Sequence, residues 1–567
     1  SWEDYARDTI SRGGGVFSRA AKTLTLSREA QALLELPATA TPNEAIKAIL
    51  KAHVDLLWNG GIGTYVKASS EDDADVGDRA NDAVRVNGGD LRCRVVGEGG
   101  NLGCTQLGRV EYAGTGGRIN TDAIDNSAGV DCSDHEVNLK ILLGIARDAG
   151  ELTAPGRDEL LQDVAGHVVE HVLYDNYLQV QILSQEQAAS TRRMEAYEDL
   201  MVELEQAGLL ERAIEFLPSS EAMAERIGAG RGMARPELCV LLAYAKRLFR
   251  DQIRNAPLLD DPYLSTALAE YFPGPVVERF GAHLAAHPLR RELIATILTN
   301  DIINSMGITF VPRMTAETGA GSDEVARAFL IARDVSQARD RWEDVERLDG
   351  VIDAEVQSSL MDGVDSLTEQ LTRWYLQNPQ ELDLSAAVER DRGGYAEVIN
   401  HIRLAATPAW RSSFESTEAG LREQGVPERP AGFGAIVPEL AFAPDVVAVA
   451  RETGRSVPDV LRAFFIVGER LYLDVLAERV AALPSETRWQ RLAWTTTGDD
   501  LRLLRRQIVL RAIGESGDVD EAVDSYLAAR VDPYQRLARL METAATPTVD
   551  DPSLVMVVIH QIRQVAA

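Results

Sequence analysis

The chain has 567 residues, of which 45% are hydrophobic and 26% are charged, a composition typical of globular proteins. Its formal net charge of −30 and isoelectric point of about 4.7 argue against nucleic-acid and membrane-surface partners, because such a surface repels phosphate groups. The length is sufficient for about three or four domains.

The cysteines of the chain are Cys93, Cys104, Cys132 and Cys239, and they form no C-x-x-C pair. So few cysteines predict a reducing compartment, the cytoplasm, rather than a disulfide framework. No run of 18 apolar residues is present, so no transmembrane helix is expected. The chain starts at Ser1 without an initiator Met, and we expect it to be a fragment or processed piece of a longer protein.

The first 150 residues predict part of an α/β domain. Short apolar runs end in glycine clusters at residues 54–66, 93–103 and 114–130. A helix is expected over Pro42–Leu50, with Thr41 as its cap and the proline in its first turn. Strand-like runs that alternate with helices are typical of an α/β unit.

The glycine cluster at residues 97–103 nearly fits the G-x-G-x-x-G phosphate fingerprint, but Leu102 stands where the last glycine belongs. It follows an earlier strand-like run, and no helix of the usual kind is expected after it, so we do not interpret it as the pyrophosphate loop. We expect a strand end at which the backbone approaches a ligand, because glycine has no Cβ.

Residues 125–138 read DNSAGVDCSDHEVN, a small-residue turn directly before a strong helix start. On one interpretation the capping box at 133–136 means that Ser133 caps a helix and does nothing more. On the other, the small residues leave room for a flat group. Asn126 would then donate and accept, as recognition of a carboxamide requires, and the helix start would attract a carboxylate. The residues alone leave both interpretations open.

From Ser133 onward, apolar residues recur three and four positions apart, which predicts a large all-α region. Arg235–Ile253 is the clearest amphipathic helix, and residues 289–307 predict another that ends at Gly307. Residues 423–438, rich in Pro and Gly, are the best internal boundary.

The predicted protein is therefore mainly α, with an α/β remnant followed by a large helical domain. Its predicted divisions are residues 1–150, 151–430 and 431–567.

Two histidine pairs are spaced four residues apart. His167 and His171 enclose Glu170 in H-x-x-E-H, an inverted zinc-protease motif, whereas His283 and His287 have no matching acid between them. The motif fixes three positions in a long helical stretch, and nothing in the sequence marks a further ligand. We interpret both pairs as ordinary surface or core histidines and predict no metal site.

Three segments resemble a known family. DNSAGVDCSDHEVN resembles the N-A-G-G-V-x-x-S-x-x-E segment of glutamate dehydrogenases, and VVGEGGNLGCT (95–105) their E-G-A-N-G-P-T segment. VDLLWNGGIGTYVKA (54–68) is similar to the strand and loop where the family reads D-x-x-x-P-A-A. The rest of the chain, including RGMARPEL and ILTNDIINSMGITFV, resembles the C-terminal portion of the large-subunit, NAD-dependent bacterial enzymes.

The resemblance implies the C-terminal half of a Rossmann-like cofactor domain, NAD as cofactor, and glutamate and 2-oxoglutarate as substrate and product. It places Asn126 on the nicotinamide carboxamide and Asn101 near the nicotinamide ribose. The backbone of Gly60 and Gly61 would line the cofactor, and Ser133 would hydrogen-bond the side-chain carboxylate of the substrate. It also implies a homo-oligomer, a homotetramer.

The chain departs from the family pattern at several positions. Asn59-Gly60-Gly61 stands for Pro-Ala-Ala, and in the second segment Gly100 stands for Ala and Leu102 for Gly. The catalytic Lys of the family, its partner Asp and the pyrophosphate loop are all expected upstream of Ser1, so no catalytic residue is predicted here.

Lys67 and Lys140 are interpreted as solvated surface charges rather than catalytic groups. The alternative function is a non-catalytic one, in which the helical region after about residue 150 is an assembly or regulatory scaffold.

Overall fold

The fold is given by a computed structural model, which describes residues 4, 6–379, 383–483, 488–514, 517–544 and 552–567. The chain divides into two compact units, Ser1–Pro312 and Arg313–Ala567. The boundary between them falls inside the predicted 151–430 segment. The finer division into three domains stays a prediction.

Among the described residues, strands occur only in the first 120 positions. They are β1 (Leu24–Thr25), β2 (Thr39–Ala40), β3 (Leu56–Asn59), β4 (Val66–Lys67), β5 (Val86–Asn87), β6 (Val95–Glu98) and β7 (Arg118–Ile119). β1 and β2 pair antiparallel, β4 and β5 pair parallel, and a three-stranded parallel sheet has the order β3-β6-β7. Since its strands are parallel, their carboxyl ends lie at one edge of the sheet.

The rest of the first unit is largely helical. Its helices are α1 (Arg28–Leu34), α2 (Pro42–Leu50), α3 (Asp73–Val76), α4 (Gln106–Gly114), α5 (Asp122–Asp125), α6 (Ser127–Asp148), α7 (Ala154–Asp163), α8 (Ala165–Ala189), α9 (Met194–Gln206), α10 (Arg212–Glu215), α11 (Ser220–Gly228), α12 (Arg235–Ile253), α13 (Leu264–Tyr271), α14 (Gly274–Phe280) and α15 (Arg290–Met306). The division between the units falls within α16 (Phe310–Thr318).

Local signals explain several helix ends. Thr41 caps α2 with Pro42 in the first turn, as predicted, and Glu44 completes a capping box. The boundaries predicted for α12 agree with the structure, and α15 ends at Gly307, whose φ of 91° is a conformation that favours glycine. The expectation that no helix follows the glycine cluster was wrong, because Thr105 caps α4 by accepting the N–H of Gly108.

Buried apolar residues surround the small sheet and line the long helices of the first unit. Around the strands, the buried residues include Val66, Val86, Val96, Tyr112 and Ile119. The buried faces of the long helices carry Leu139, Leu142 and Leu143 on α6, Ile182 and Leu183 on α8, and Leu238, Leu241 and Leu242 on α12. The four cysteines are free, and Cys132 is the exposed one.

The second unit is helical throughout its described residues. Its further helices are α17 (Ser322–Ser336), α18 (Ala338–Glu346), α19 (Ala354–Gln377), α20 (Leu384–Ala405), α21 (Pro408–Glu423), α22 (Glu428–Gly434), α23 (Ala443–Thr453), α24 (Val457–Arg470), α25 (Leu473–Ala482), α26 (Arg488–Ala512), α27 (Val519–Ala528), α28 (Val531–Ala544) and α29 (Pro552–Ala566). Aromatic rings of Phe414, Phe442, Phe464 and Phe465 pack together inside it, with centroid separations of 5.6 to 6.3 Å.

The predicted fold class, mainly α with a small α/β part at the start, is confirmed. Within the described residues, no single helix has the length and apolar composition needed to cross a membrane. Two bent helix pairs, Arg290–Met306 with Phe310–Thr318 and Glu428–Gly434 with Val437–Thr453, meet that test by length and composition only.

Candidate functional site

The carboxyl ends of β3, β6 and β7 place the predicted binding residues in neighbouring loops. Asn59 of β3 lies opposite Glu98 of β6, and Val96 of β6 lies opposite Ile119 of β7. In parallel α/β sheets, ligands bind outside the carboxyl ends of the strands. The loops after β3 and β6 carry Gly60 and Gly61, and Asn101, and the chain that leaves β7 reaches Asn126 between α5 and α6.

The loop after β3 and the loop after β6 touch through their backbones. The N–H of Gly100 donates to the carbonyl of Asn59 over 2.9 Å. A Cβ at position 100 would overlap the Gly61 carbonyl, so glycine is needed for this approach. The two departures from the family pattern, Gly60-Gly61 and Gly100, are therefore structurally linked.

Asn101 and Asn126 are 25 positions apart in sequence and adjacent in space. The Asn126 amide nitrogen lies 3.5 Å from the Asn101 amide oxygen, at the long limit of a hydrogen bond. Asn101 is exposed and Asn126 is half-buried. Since Asn126 makes no side-chain cap to its own helix, most of its hydrogen-bonding capacity is available to a ligand.

Leu102 is in the left-handed conformation, with φ of 58°, and its side chain is 65% exposed. This is the position at which the resembling family has glycine. The Leu102 N–H donates to Asp122 over 2.8 Å, and its carbonyl accepts the Thr64 hydroxyl at 2.7 Å. These bonds hold the loop in a conformation that costs a branched residue about 1 kcal/mol.

The expectation that Ser133 caps a helix was wrong. α6 begins at Ser127, six residues earlier, and residues 127–130 form its first turn instead of a loop. The Ser127 hydroxyl accepts the amide of Asn176 on α8 at 2.8 Å, which anchors this early helix start. Inside the helix, the Ser133 hydroxyl donates to the carbonyl of Gly129 over 3.3 Å, the usual local bond of a helical serine.

Ser133 nevertheless shares a helix face with Asn126. Positions 126, 130, 133 and 137 follow helical spacing, and Val130 and Val137 on this face are 67% and 52% exposed. The structure therefore presents Asn126 and Ser133 on an open face of α6, with apolar side chains beside them.

A buried ion pair lies directly behind the loops. The Glu98 carboxylate is fully buried and receives two bonds from the Arg109 guanidinium, at 2.7 and 3.0 Å. The backbone N–H of Cys104 also donates to Glu98, and Asp122 lies 3.2 Å from Arg109. Burial raises the pKa of Glu98, and the bonds from Arg109 oppose that rise. Sequence reasoning missed this pair, because no local pattern joins residues 98 and 109.

A second polar chain fixes the segment between β7 and α6. The Asp125 carboxylate accepts the backbone N–H of Glu98 at 2.8 Å and the Asn120 amide at 2.7 Å. The Arg235 guanidinium, at the start of α12, donates to the Asn120 oxygen and to the Val180 carbonyl. Arg235 lies in the quoted RGMARPEL segment, which was the one available signal for its importance.

The two lysines differ. Lys140 is exposed, as predicted, and it pairs with Glu136 one turn away. The interpretation of Lys67 as a solvated charge was wrong. It is half-buried, and its ammonium donates to the carbonyls of Ala68 and Glu71 and to the Asn87 side chain, at 2.8 to 3.2 Å.

The histidines of each four-residue pair have different surroundings. His167 is exposed, whereas His171 is half-buried beside His135, with ring centroids 6.0 Å apart. His283 bonds Glu151 at 2.9 Å. His287 is buried; its Nδ1 accepts the Leu289 N–H, so its Nε2 carries the proton that faces a backbone carbonyl.

His135 belongs to a buried polar cluster between α6 and α8. Burial, with a smaller contribution from His171, lowers the pKa of His135 to about 4, so the ring is neutral at neutral pH. Burial and the neighbouring carboxylate of Asp175 raise the pKa of Asp131 to about 7. No role was predicted from the sequence for Asp131, His135 or Asp175.

Comparison with known proteins covers nearly the whole chain. Residues 1–186 match the family described as bacterial NAD-glutamate dehydrogenase, catalytic domain, and residues 230–564 match glutamate dehydrogenase, C-terminal. The strand edge and all five predicted binding residues lie in the first match.

Three similar relatives are each named NAD-specific glutamate dehydrogenase. Those of Halomonas elongata, Pseudomonas aeruginosa and Mycobacterium tuberculosis are 38%, 41% and 36% identical over 100%, 97% and 97% of this chain. The chain spans about a third of their length, 35%, 34% and 34% respectively.

Proposed function

Since this chain belongs to the family of bacterial NAD-specific glutamate dehydrogenases, we propose that it supplies the nicotinamide-side and substrate-carboxylate contacts of such an enzyme. The reaction proposed for the longer protein converts L-glutamate, NAD and water into 2-oxoglutarate, ammonia and NADH. The first compact unit would contain the C-terminal half of a Rossmann-like domain.

One observation carries this proposal: Asn101 and Asn126 lie side by side at the carboxyl edge of the parallel sheet. An amide side chain offers a donor and an acceptor together, which matches the carboxamide of nicotinamide. The long 3.5 Å contact between the two amides is easily exchanged for a ligand contact.

The residues at this edge fit a nicotinamide ring. Asn126 would bond the carboxamide, and Asn101 would lie near the ribose. Gly60 and Gly61 leave backbone without side chains, so a flat ring can approach them closely. NAD, when bound, supplies the hydride acceptor of the reaction. The protein residues orient the ring and exclude water from one side of it.

Ser133 would hold the distal carboxylate of glutamate. Its hydroxyl has a donor and two lone pairs, so one donor can turn from Gly129 to a substrate oxygen. Val130 and Val137 flank it on the open face of α6 and would contact the methylene groups of the substrate. The catalytic Lys and its partner Asp are assigned to a part of the longer protein outside these 567 residues.

The test is Ser133→Val in the longer enzyme. Loss of a hydrogen bond to a charged group costs about 1.5–3 kcal/mol, so KM for glutamate should rise roughly 10- to 100-fold. The Kd of NADH, measured by fluorescence titration, should change less than about threefold. Ser265→Val, an exposed helical serine in the same unit, is the matched control and should alter neither constant.

Equal effects of Ser133→Val on glutamate and on NADH, or no effect on either, would contradict the role of Ser133. A second variant tests the contact with the cofactor. Asn126→Leu keeps the side-chain size and removes both polar atoms, so it should weaken NADH binding more than glutamate binding. If neither variant weakens the binding of one ligand more than that of the other, the placement of the site at this edge is wrong.

A second candidate function is favoured by the independent core of the second unit. Residues 313–567 form a compact helical unit with its own aromatic cluster, and they contain none of the predicted binding residues. We propose that this unit supports assembly of a cytoplasmic homo-oligomer or regulates it.

Removal of residues 313–567 from the longer enzyme distinguishes an assembly role of this unit from a role in supporting catalysis. An assembly role predicts fewer subunits per particle by light scattering, with NADH binding kept within about threefold. A catalytic-support role predicts an unchanged number of subunits per particle and lost turnover.

A further inference from the structure

The α6–α8 contact contains two reciprocal pairs of His and Asp. Asp131 and His135 stand four residues apart on α6, and His171 and Asp175 stand four residues apart on α8. This spacing places both members of each pair on one helix face. One oxygen of Asp131, one ring nitrogen of His135 and one oxygen of Asp175 lie within 4.8 Å of one another.

His135 is the unusual member of this group. Its side chain is 2% exposed, and neither ring nitrogen has a hydrogen-bond partner among the described residues. The nearest acidic oxygen, on Asp131, is 3.8 Å from Nε2, beyond hydrogen-bond distance. A buried polar atom left unpaired costs about 1–3 kcal/mol, so native proteins normally supply a partner.

Packing holds the His135 ring in place. It stacks on Tyr271 of α13 at a centroid distance of 4.2 Å and an interplanar angle of 13°. The Tyr271 hydroxyl meanwhile accepts a hydrogen bond from Asn138 at 3.1 Å, so it does not satisfy His135. The ring is therefore fixed with a free nitrogen directed to the carboxylates.

The charges around the cluster favour a cation. The Asp131 and Asp175 carboxylates carry up to two negative charges, and the basic group that acts on both is Lys246 of α12. In the described part of the chain, Lys246 makes no ion pair within 4.0 Å of either carboxylate. A single ammonium cannot neutralise both carboxylates once both are ionised as metal ligands, whereas one divalent cation can.

We propose that Asp131, His135 and Asp175 bind a divalent transition-metal ion of the Zn²⁺ type, with His171 or water as the fourth ligand. One imidazole nitrogen and carboxylate oxygens form a ligand set that such ions accept in tetrahedral geometry. Metal–ligand distances of about 2.0–2.2 Å require ligand atoms about 3.4 Å apart, which small side-chain rotations achieve from the present separations.

This site differs from the one suggested by H-x-x-E-H. His167 and Glu170 of that motif are exposed on α8, and His171 faces the cluster instead. The ion would join α6 to α8 through Asp131 and His135, which lie two residues before and after Ser133. Its role is structural, because it would fix the helix that presents the open face.

The experiment is a calorimetric titration of the chelator-treated full chain with Zn²⁺ alone. We expect one ion per chain. His135→Gln and Asp175→Asn should each weaken binding at least tenfold. His167→Gln, which changes the exposed histidine of α8, should leave the Kd for Zn²⁺ unchanged. Co²⁺ should give the strong visible absorption of a four-coordinate ion.

Lys246→Met should have the opposite effect and tighten Zn²⁺ binding, because it removes the ammonium that competes with the ion. Near-UV circular dichroism checks that each variant folds. If His135→Gln does not fold, Asp175→Asn and Lys246→Met decide the question. Absence of stoichiometric Zn²⁺, unchanged affinity in both of these variants, or equal losses in His167→Gln and Asp175→Asn would overturn the proposal.

Discussion

The strand edge of the first unit and the aromatic core of the second are stabilised in different ways. At the edge, loops rich in glycine are held by directional bonds from buried polar groups, above all Glu98 with Arg109 and Asp125 with Asn120. In the second unit, the rings of Phe442, Phe464 and their neighbours pack mainly on one another, and the Arg505 guanidinium lies over the Phe442 ring at 4.7 Å. Fixed loops need hydrogen bonds, because small side chains bury little apolar area.

This difference explains why we propose the site at the edge. A loop that leaves room for a ligand cannot fill that room with its own side chains. Buried carboxylates and guanidinium groups behind it replace the missing packing. They also make the edge sensitive to the loss of a single charged partner.

The largest expected effect comes from Arg109→Leu. It leaves the Glu98 carboxylate buried without its cation, which costs about 3–5 kcal/mol. Without Arg109 the pKa of Glu98 rises further, so the folded state retains a proton that the unfolded state has lost. The loss of stability is therefore larger at pH 8 than at pH 5. Hydrogen exchange in β6 and α4 measures it.

Arg347→Leu, in the second unit, is the control for this variant. Its side chain is 67% exposed beside Glu343, and such pairs contribute less than about 1 kcal/mol. Similar losses at positions 109 and 347 would mean that the edge does not depend on its buried ion pair.

A smaller effect is expected from Glu439→Gln in the second unit. Burial, reinforced by Asp474 and Glu478 and opposed by Arg505, raises the pKa of Glu439 to about 7. The folded state thus binds a proton more tightly than the unfolded state, and stability falls as pH rises from about 4.5 to 7. The variant removes this fall and should be more stable by about 2–3 kcal/mol at pH 8.

The free energy of opening of α23 and α24, measured by hydrogen exchange between pH 5 and 8, tests this expectation. Glu428→Gln, an exposed carboxyl in the same unit, should leave the pH dependence as it is. A Glu439 variant that follows the wild-type pH curve would show that this carboxyl is not desolvated.

The smallest effects are expected from a leucine-to-glycine substitution that is made once in each region. Leu102→Gly relieves a left-handed residue at the edge and should stabilise its loop by about 1 kcal/mol. Leu404→Gly, at a 75% exposed position in the last turn of the right-handed helix α20, should cost up to about 1 kcal/mol. Thermal unfolding measures both changes. The same sign at both positions would rule out backbone strain at Leu102.

The sequence predicted helix ends correctly where one continuous stretch contains all the residues that determine them. The ends of α12 and the cap of α2 follow from Pro, Thr and Glu at fixed offsets, and the end of α15 from Gly307. The capping box at Ser133 failed because α6 is anchored earlier, through the bond from Asn176 to Ser127. That contact joins positions 49 residues apart, which no local pattern reports.

The sequence by itself determined the family, the mainly α fold class and the segments that carry Asn101, Asn126 and Ser133. These properties depend on local residue order and on motifs that are continuous in the chain. The tertiary structure alone decided that Asn101 meets Asn126, that Arg109 neutralises Glu98 in the interior, and that His135 lies unpaired beside Asp131 and Asp175. Such pairings depend on how helices and strands pack, and burial then sets the charge and hydrogen bonding of each group.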